Sequence, residues 1–599
     1  MYKGVYNPLL FKRGLVVGSL VVSALLSGCV QDILPDSNRA PSEPLSTPVN
    51  LSAERTAKAL LGHHAGLDAD TMFKILAAEM MVKKGYLGQA FDVLYALAEK
   101  TGDKGLAERV FQLSVQTRSV ESIERATVLW RKLSPNEAIP WRASFLLSLR
   151  HNNVPLALEQ WSKYHALSQE GLEHDMLLTG QRVAASVATE SALSFMKALA
   201  EQYPNYWASH YALGLVRDAK GQPAQALAAL NEIKNRASKT SEQSINRLLS
   251  KIYLSLAMPE EGVAALTPYL KKYPKDWLVQ ERMARLEVQA ERYGDAVKRY
   301  ENILSSVPDA HTSRLSLALI EMEFKAFSKA ENNLQKVLGK PAYQQASQYY
   351  LGLLYQAQQR YEEALLHLSQ VTSETYQVDA GLHQAEIYQS QNKMQEAFRI
   401  INALTAATPA EQFKVLRAKG IFYAYEGRDA KAVEAYDEAL EIDPQNIEVL
   451  LAQALVLHRL GEFEVYERNL KQVIQHAPND VDALNALGYF YVEQGKSLDE
   501  AKQLLTKARA IEPNNYYVLD SLGWYYFMRG NYDQAATLLE QALAIQFDDE
   551  VLIHLILTYW KQRKFELAES LWQNNHKKFL ENNRLQDLMH DLKQSQYRQ

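Results

Sequence analysis

The chain has 599 residues, 47% of them hydrophobic and 23% charged, with a formal net charge of −5. That acidic balance argues against nucleic acid as a partner, because phosphate backbones are held by clustered Lys and Arg. A single cysteine, Cys29, excludes a disulfide framework within one chain, and 26 Gly and 19 Pro are few for a globular protein of this length.

At the start, Lys3, Lys12 and Arg13 precede an apolar run from Gly14 to Leu26. A bilayer takes about 20 helical residues to cross, so this run is too short to span one. A charged start before a short apolar centre is the pattern of a secretory signal. The ending Leu26-Ser27-Gly28-Cys29 resembles the bacterial lipobox, where the cysteine is acylated and becomes the mature N-terminus. That resemblance implies a signal peptide over residues 1–28 and a membrane anchor through lipid on Cys29. Two or more acyl chains anchor stably, whereas one gives an association constant of only about 10⁴ M⁻¹. Val30 stands where lipoproteins kept at the inner membrane typically carry Asp. The implied location is therefore the outer membrane, facing the periplasm. Cleavage removes three positive charges and takes the net charge from −5 to −8. The segment 29–50 then holds Pro35, Pro41, Pro44 and Pro48 among Ser and Thr, the composition of a semi-extended tether.

From residue 51 to 583 one pattern recurs. Units begin near Thr71, Lys104, Ala138, Glu173, Trp207, Gln243, Trp277, His311, Gln345, Val378, Phe413, Ile447, Val481 and Tyr516, with a degenerate one near Glu550. Small eighth residues such as Ala78, Gly180, Gly214, Gly420, Gly488 and Gly523 let the first helix of a unit approach the second closely. Gly427, Gly461, Gly495 and Gly530 at the fifteenth position tolerate the left-handed conformation that ends many helices. Ala at the twentieth position (Ala90, Ala226, Ala432) gives the second helix room on both sides, and Pro444, Pro478 and Pro513 stop it. Phe111 and Phe145 stand where a small residue belongs, which leaves the register of those two units open. The polar stretch Asn235–Ser244 widens one period to about 36 residues and reads as a joint. Between Phe413 and Asp549 the pattern is clearest, four units at 34 residues with one stretched to 35. A period of 34 with this punctuation is the signature of the tetratricopeptide repeat. The expected fold is all-α, a superhelical solenoid of about 14–15 helix–turn–helix units with a concave inner surface, followed by a polar helix or tail over 584–599.

In such repeats positions 2, 5, 9, 12 and 13 of the first helix face the concave side. These are Tyr517, Asp520, Trp524, Phe527 and Met528 in one unit, preceded by Asn485 and Tyr489 in the unit before. Trp and Tyr dominate binding hot spots, so this cluster is the candidate partner-binding groove; the alternative is that the rings pack against the neighbouring repeat or the last helix, Glu566 to Gln594. The clamp by which some family members grip a chaperone's terminal carboxylate needs Lys and Asn at set inward positions. Here Arg417, Ile421, Leu451, Leu455 and Asp482 occupy them, so that mode is not expected. Lys414, Arg417 and Arg459 are basic and inward, as a solvated face would also be.

Two stretches, Asp482-Ala-Leu-Asn-Ala-Leu-Gly-Tyr489 and Leu519-Asp-Ser-Leu-Gly-Trp524, together with Gly495-Lys-Ser-Leu-Asp-Glu-Ala501, resemble the outer-membrane tetratricopeptide lipoproteins of gammaproteobacteria. The best-known members are adaptors that bring cell-wall hydrolases to a periplasmic carboxyl-terminal processing protease, and the resemblance implies those partners here. A scaffold for exopolysaccharide export or pilus assembly is the other reading in the same class. No catalytic signature stands out: there is no H-E-x-x-H, G-x-S-x-G or G-x-x-x-x-G-K. His63-His64 is the only adjacent His pair and has no third ligand nearby in sequence. Neither an enzyme, a metal nor a cofactor is expected, although a site outside these motifs would escape such a search.

Overall fold

The computed structural model describes residues 68–233, 239–575 and Leu592. The signal segment 1–28, Cys29, the tether to residue 50 and His63-His64 lie outside the described residues. So does the expected C-terminal helix beyond Asn575, with the tail 584–599, save Leu592. Among the described residues there are 30 helices and no strand, which pair in order into 15 helix–turn–helix units. The chain divides into two compact parts, Met1–Ala357 and Gln358–Gln599.

All but one of the units reverse direction at one residue held in the left-handed conformation. At the fifteenth position Gly85, Gly221, Gly427, Gly461, Gly495 and Gly530 have φ of 61–84°. Arg118, Asn152, Ala257, Glu291, Lys325, Gln359 and Asn392 adopt the same backbone at φ 50–60°, despite the clash a Cβ meets there. At Asn152, Ala257, Glu291, Lys325 and Asn392 a hydrogen bond runs from the next amide back to the carbonyl five residues earlier. It measures 2.7 Å from Arg292 to Glu287, 2.7 Å from Ala326 to Glu321 and 2.8 Å from Lys393 to Tyr388. The bond satisfies a carbonyl that the helix end would otherwise leave open.

That turn also settles the two units whose register was open. Their first helices begin at Lys104 and Ala138, and Arg118 and Asn152 fall at the fifteenth position. Phe111 is accommodated against Trp130, with ring centroids 4.9 Å apart. Phe145 is fully buried and stacked on Phe195 at 5.7 Å. In the last unit the first helix starts at Asp549, one residue before the expected Glu550, and its left-handed residue is Arg563. The stretch Asn235–Ser244 includes the start of a helix, Lys239–Ser255; residues 234–238 lie outside the described residues.

Small residues act where expected in most units. A Cβ built on Gly214, Gly420, Gly488 or Gly523 would approach Leu230 to 3.1 Å, Tyr436 to 2.3 Å, Leu505 to 2.7 Å or Leu539 to 2.8 Å. Each contact is with the second helix of the same unit, and Ala90, Ala226, Ala296, Ala330, Ala364, Ala397, Ala432 and Ala439 are all fully buried on those second helices. The unit near Glu173 departs from the plan. Val187 at its turn is extended, with φ −112° and ψ 147°. A Cβ on Gly180 would lie 2.6 Å from Ala212 Cβ, on the first helix of the next unit (Trp207–Ala219), rather than against its own second helix. The second helix, Thr189–Gln202, packs on both neighbouring units more than on its own first helix; on the preceding unit Phe195 meets Phe145 and Tyr203 stands edge-on to Trp161 at 5.8 Å. Asp175, buried in this region, accepts hydrogen bonds from the hydroxyls of Tyr164 (2.6 Å) and Ser168 (2.8 Å) and lies 2.7 Å from His165 Nδ1.

Two substitutions test this account. Gly420→Ala drives a methyl into the fully buried Tyr436 ring, and chemical denaturation is expected to show a loss of about 1–3 kcal/mol. Lys325→Gly relieves a left-handed residue that carries a side chain, and is expected to stabilise by about 0.5–1 kcal/mol. A neutral Gly420→Ala would mean that the close helix crossing does not limit packing there.

Candidate functional site

Two successive first helices, Val481–Glu493 and Tyr516–Met528, carry the predicted groove residues, and a third, Asp549–Lys561, packs beside them. Asp480 caps the first of these by accepting the Ala483 amide at 2.8 Å, and Asp548 caps the third by accepting the Glu550 amide at 2.9 Å. Capping fixes where each helix begins, and so which side chains its stripe presents. On the first helix the stripe is Asp482, Asn485 and Tyr489, spaced three and four residues apart. Tyr517, Asp520 and Trp524 repeat it on the second.

These stripes join across the repeats. The Tyr517 hydroxyl donates to Asp482 at 2.6 Å, and the Tyr489 hydroxyl spans two units to donate to Glu550 at 3.2 Å. Asp520 lies 2.8 Å from Nδ1 of His554, and both are buried. Trp524 stacks on His554 with centroids 4.0 Å apart and on Phe527 at 4.5 Å. The indole is thus half-buried and engaged with its own and the next repeat, which is the packing alternative for this ring. Phe527 is half-buried beside Tyr532, while Met528 is the most exposed of the seven, at 47%. Asn485 is 7% exposed, and its Oδ1 is buried with no hydrogen-bond partner among the described residues.

Glu550 and His554 were not anticipated, because the last unit was read as degenerate. In the phase set by the Asp549 start and the Arg563 turn, Glu550 falls at the second position, as Asp482 and Tyr517 do, so the repeat phase was the available signal for it; His554 falls at the sixth. Burial pushes the Glu550 carboxyl up to about 7; His554 opposes that rise and Asp520 adds to it. For His554 burial works against the charged ring, but the Asp520 carboxylate, reinforced by Glu550 and Glu493, outweighs it and raises the pKa. Burial likewise raises the phenol of Tyr516 to about 12 and that of Tyr489 well above its usual value.

The other inward charges are already matched. Lys414 pairs with Asp379 at 2.7 Å, Arg417 with Glu448 at 2.5 Å and Arg459 with Asp429 at 2.5 Å, each across neighbouring units. Among the described residues no group of three His, Cys, Asp or Glu is placed to hold a metal ion, and no helix is long and apolar enough to cross a membrane.

Comparison with known proteins agrees with this architecture. Family models described as tetratricopeptide repeat match residues 281–347 and 496–558, and one described as TPR repeat matches 422–461. The chain carries tetratricopeptide repeats. A TPR repeat-containing protein of Pseudomonas aeruginosa is 26% identical over 539 residues, covering 90% of this chain and 89% of its own length. The putative cellulose synthase operon protein C of Escherichia coli O157:H7 is 25% identical over 333 residues, which is 54% of this chain but 25% of that protein. Among solved structures, a tetratricopeptide repeat protein from Parabacteroides merdae aligns with 41% of this chain and 98% of its own at 18% identity, with a TM-score of 0.32.

The charge arrangement predicts how stability at this end varies with pH. A carboxyl whose folded pKa lies near 7, above its unfolded 4.5, favours the fold while protonated, and that contribution fades as the pH rises through 7. The raised pKa of His554 acts in the same direction, since its contribution is complete below 6.5 and is lost as the pH rises through the folded value. Hydrogen exchange in Asp549–Lys561 is therefore expected to be slower at pH 6 than at pH 8, after correction for intrinsic rates. Glu550→Gln is expected to stabilise at pH 8 by roughly 1–2 kcal/mol and to flatten this dependence. Greater protection at pH 8 than at pH 6 would contradict the assignment.

Proposed function

We propose that this chain is a non-catalytic scaffold that holds protein partners along the face built by its first helices. It is anchored by lipid on Cys29 in the outer membrane, faces the periplasm, and delivers cell-wall hydrolases to a carboxyl-terminal processing protease. The observation that carries the scaffold reading is the alignment of Asn485, Tyr489, Tyr517, Asp520 and Trp524 on successive helices. One stripe per repeat offers evenly spaced contacts to an extended or helical segment, which is how stacked repeats make long binding surfaces. Support for the anchor is Leu26-Ser27-Gly28-Cys29 after a short apolar run. Support for the adaptor role is the resemblance of Asp482–Tyr489 and Leu519–Trp524 to the lipoproteins of that class.

A second reading is favoured by one observation. The similarity to the putative cellulose synthase operon protein C supports a scaffold for exopolysaccharide export, within the stretch the two chains share.

Affinity capture from a periplasmic extract, with the chain after Cys29 as bait, separates the two. Recovery of a carboxyl-terminal processing protease with cell-wall hydrolases is the expected outcome; recovery of export or pilus components without a protease would replace it. Cys29→Ala is expected to move the protein from the membrane to the soluble fraction with its helical content unchanged. Continued membrane fractionation of that variant would overturn the lipid anchor.

A further inference from the structure

Cations answer carboxylates across neighbouring repeats elsewhere in the second part of the chain. Asp379 has Lys414, Asp429 has Arg459, Glu448 has Arg417, and Glu467 has Lys496 at 3.1 Å. At the three last first helices that pattern stops. Asp520 is answered by His554, and Glu550 by the Tyr489 hydroxyl and by His554 one turn on; no Lys or Arg among the described residues forms an ion pair with either. Glu493 adds a third carboxylate close to His554; its own partner is His458, 3.8 Å away.

A cluster of acids is not in itself a site, but a second and independent feature lies on the same stripe. Asn485, 93% buried, holds an acceptor oxygen with no donor. It lies one turn from Asp482, which binds Tyr517, and one turn from Tyr489, which reaches Glu550, so it shares their face. An unfilled buried acceptor is costly, commonly about 1–3 kcal/mol, and is filled by a donor from outside when none comes from within. The half-buried Glu550 retains a second carboxylate oxygen beyond the one that accepts from Tyr489.

We propose that this face binds a cationic side chain, lysine or arginine, projecting from a partner segment, with Glu550 as counter-ion and Asn485 Oδ1 as a neutral acceptor. The inference rests on the scaffold reading and gives the partner's chemistry at one place on it. A guanidinium suits the site best, because its five donors spread over a plane and can serve a carboxylate and an amide together. The ring stack of Phe527, Trp524 and His554 walls the site on one side and lowers water access to the charges.

The test uses the full chain and two small probes, the blocked peptide acetyl-Gly-Ser-Arg-Ser-Gly-amide and its citrulline counterpart, which keeps the shape without the charge. Binding is followed by saturation-transfer NMR at pH 8. The arginine peptide is expected to bind at least fivefold more tightly than the citrulline peptide. Glu550→Gln is expected to remove that difference while circular dichroism stays unchanged. Equal binding of both peptides to the native chain would overturn the proposal by showing that charge plays no part, and undiminished arginine preference in Glu550→Gln would overturn it by marking the association as general attraction to an acidic surface. Either of those results, with partner capture from extract intact, would leave the scaffold reading standing; loss of capture as well would sink both.

Discussion

The array depends on a tight reversal between paired helices, and in every described unit but one that reversal turns on a single residue with positive φ. Where the residue is Gly the turn costs little; where it is Glu291, Lys325 or Arg563, the bond from the following amide to the carbonyl five residues back must outweigh the Cβ clash. Once the chain is folded back, the eighth residue decides how near the helices come, and the buried alanines decide how the next unit fits. The first-helix stripes line up only because those three choices are repeated unit after unit.

Much of this architecture was legible because the repeat forces the same physics on the same position many times. A Gly that recurs every 34 residues is informative even when any one Gly is not. The fifteenth position was harder to read, since eight non-Gly residues share its backbone there, and a sequence reading that looks for Gly sees only some of the turns. Phe111 and Phe145 misled for the opposite reason: they break the rule for side-chain size while obeying the rule for backbone. Local bulk was absorbed by rings in reach, Trp130 for one and Phe195 for the other.

The groove was legible in its addresses and not in its partners. Position numbers located Asn485, Tyr489, Tyr517, Asp520 and Trp524 on one face, but nothing in a single repeat says that Tyr489 reaches over a neighbour to Glu550 or that His554 slides against Trp524. Those contacts depend on the angle between units, which is a property of stacking. They also turn an expected aromatic anchor into an aromatic wall beside buried charge. The chemistry of the face is therefore set less by its rings than by the carboxylates the rings shelter.

The unit near Glu173 shows what happens when the reversal is made without a left-handed residue. With Val187 extended, the Gly180 contact passes to Ala212 of the next unit, and the helix Thr189–Gln202 leans on the units before and after it. In a linear array each unit is coupled chiefly to its two neighbours, so cooperativity is transmitted from link to link. Both helices of this unit pack on its neighbours more than on each other, and one core runs unbroken from Phe145 through Phe195 to Val216. The unit is therefore held by its two flanks more than by its own hairpin. The buried Asp175, with Tyr164, Ser168 and His165 gathered around it, ties this unit's first helix to the unit before by polar bonds. An otherwise uniform array thereby holds one unit whose place is set by its neighbours more than by its own reversal.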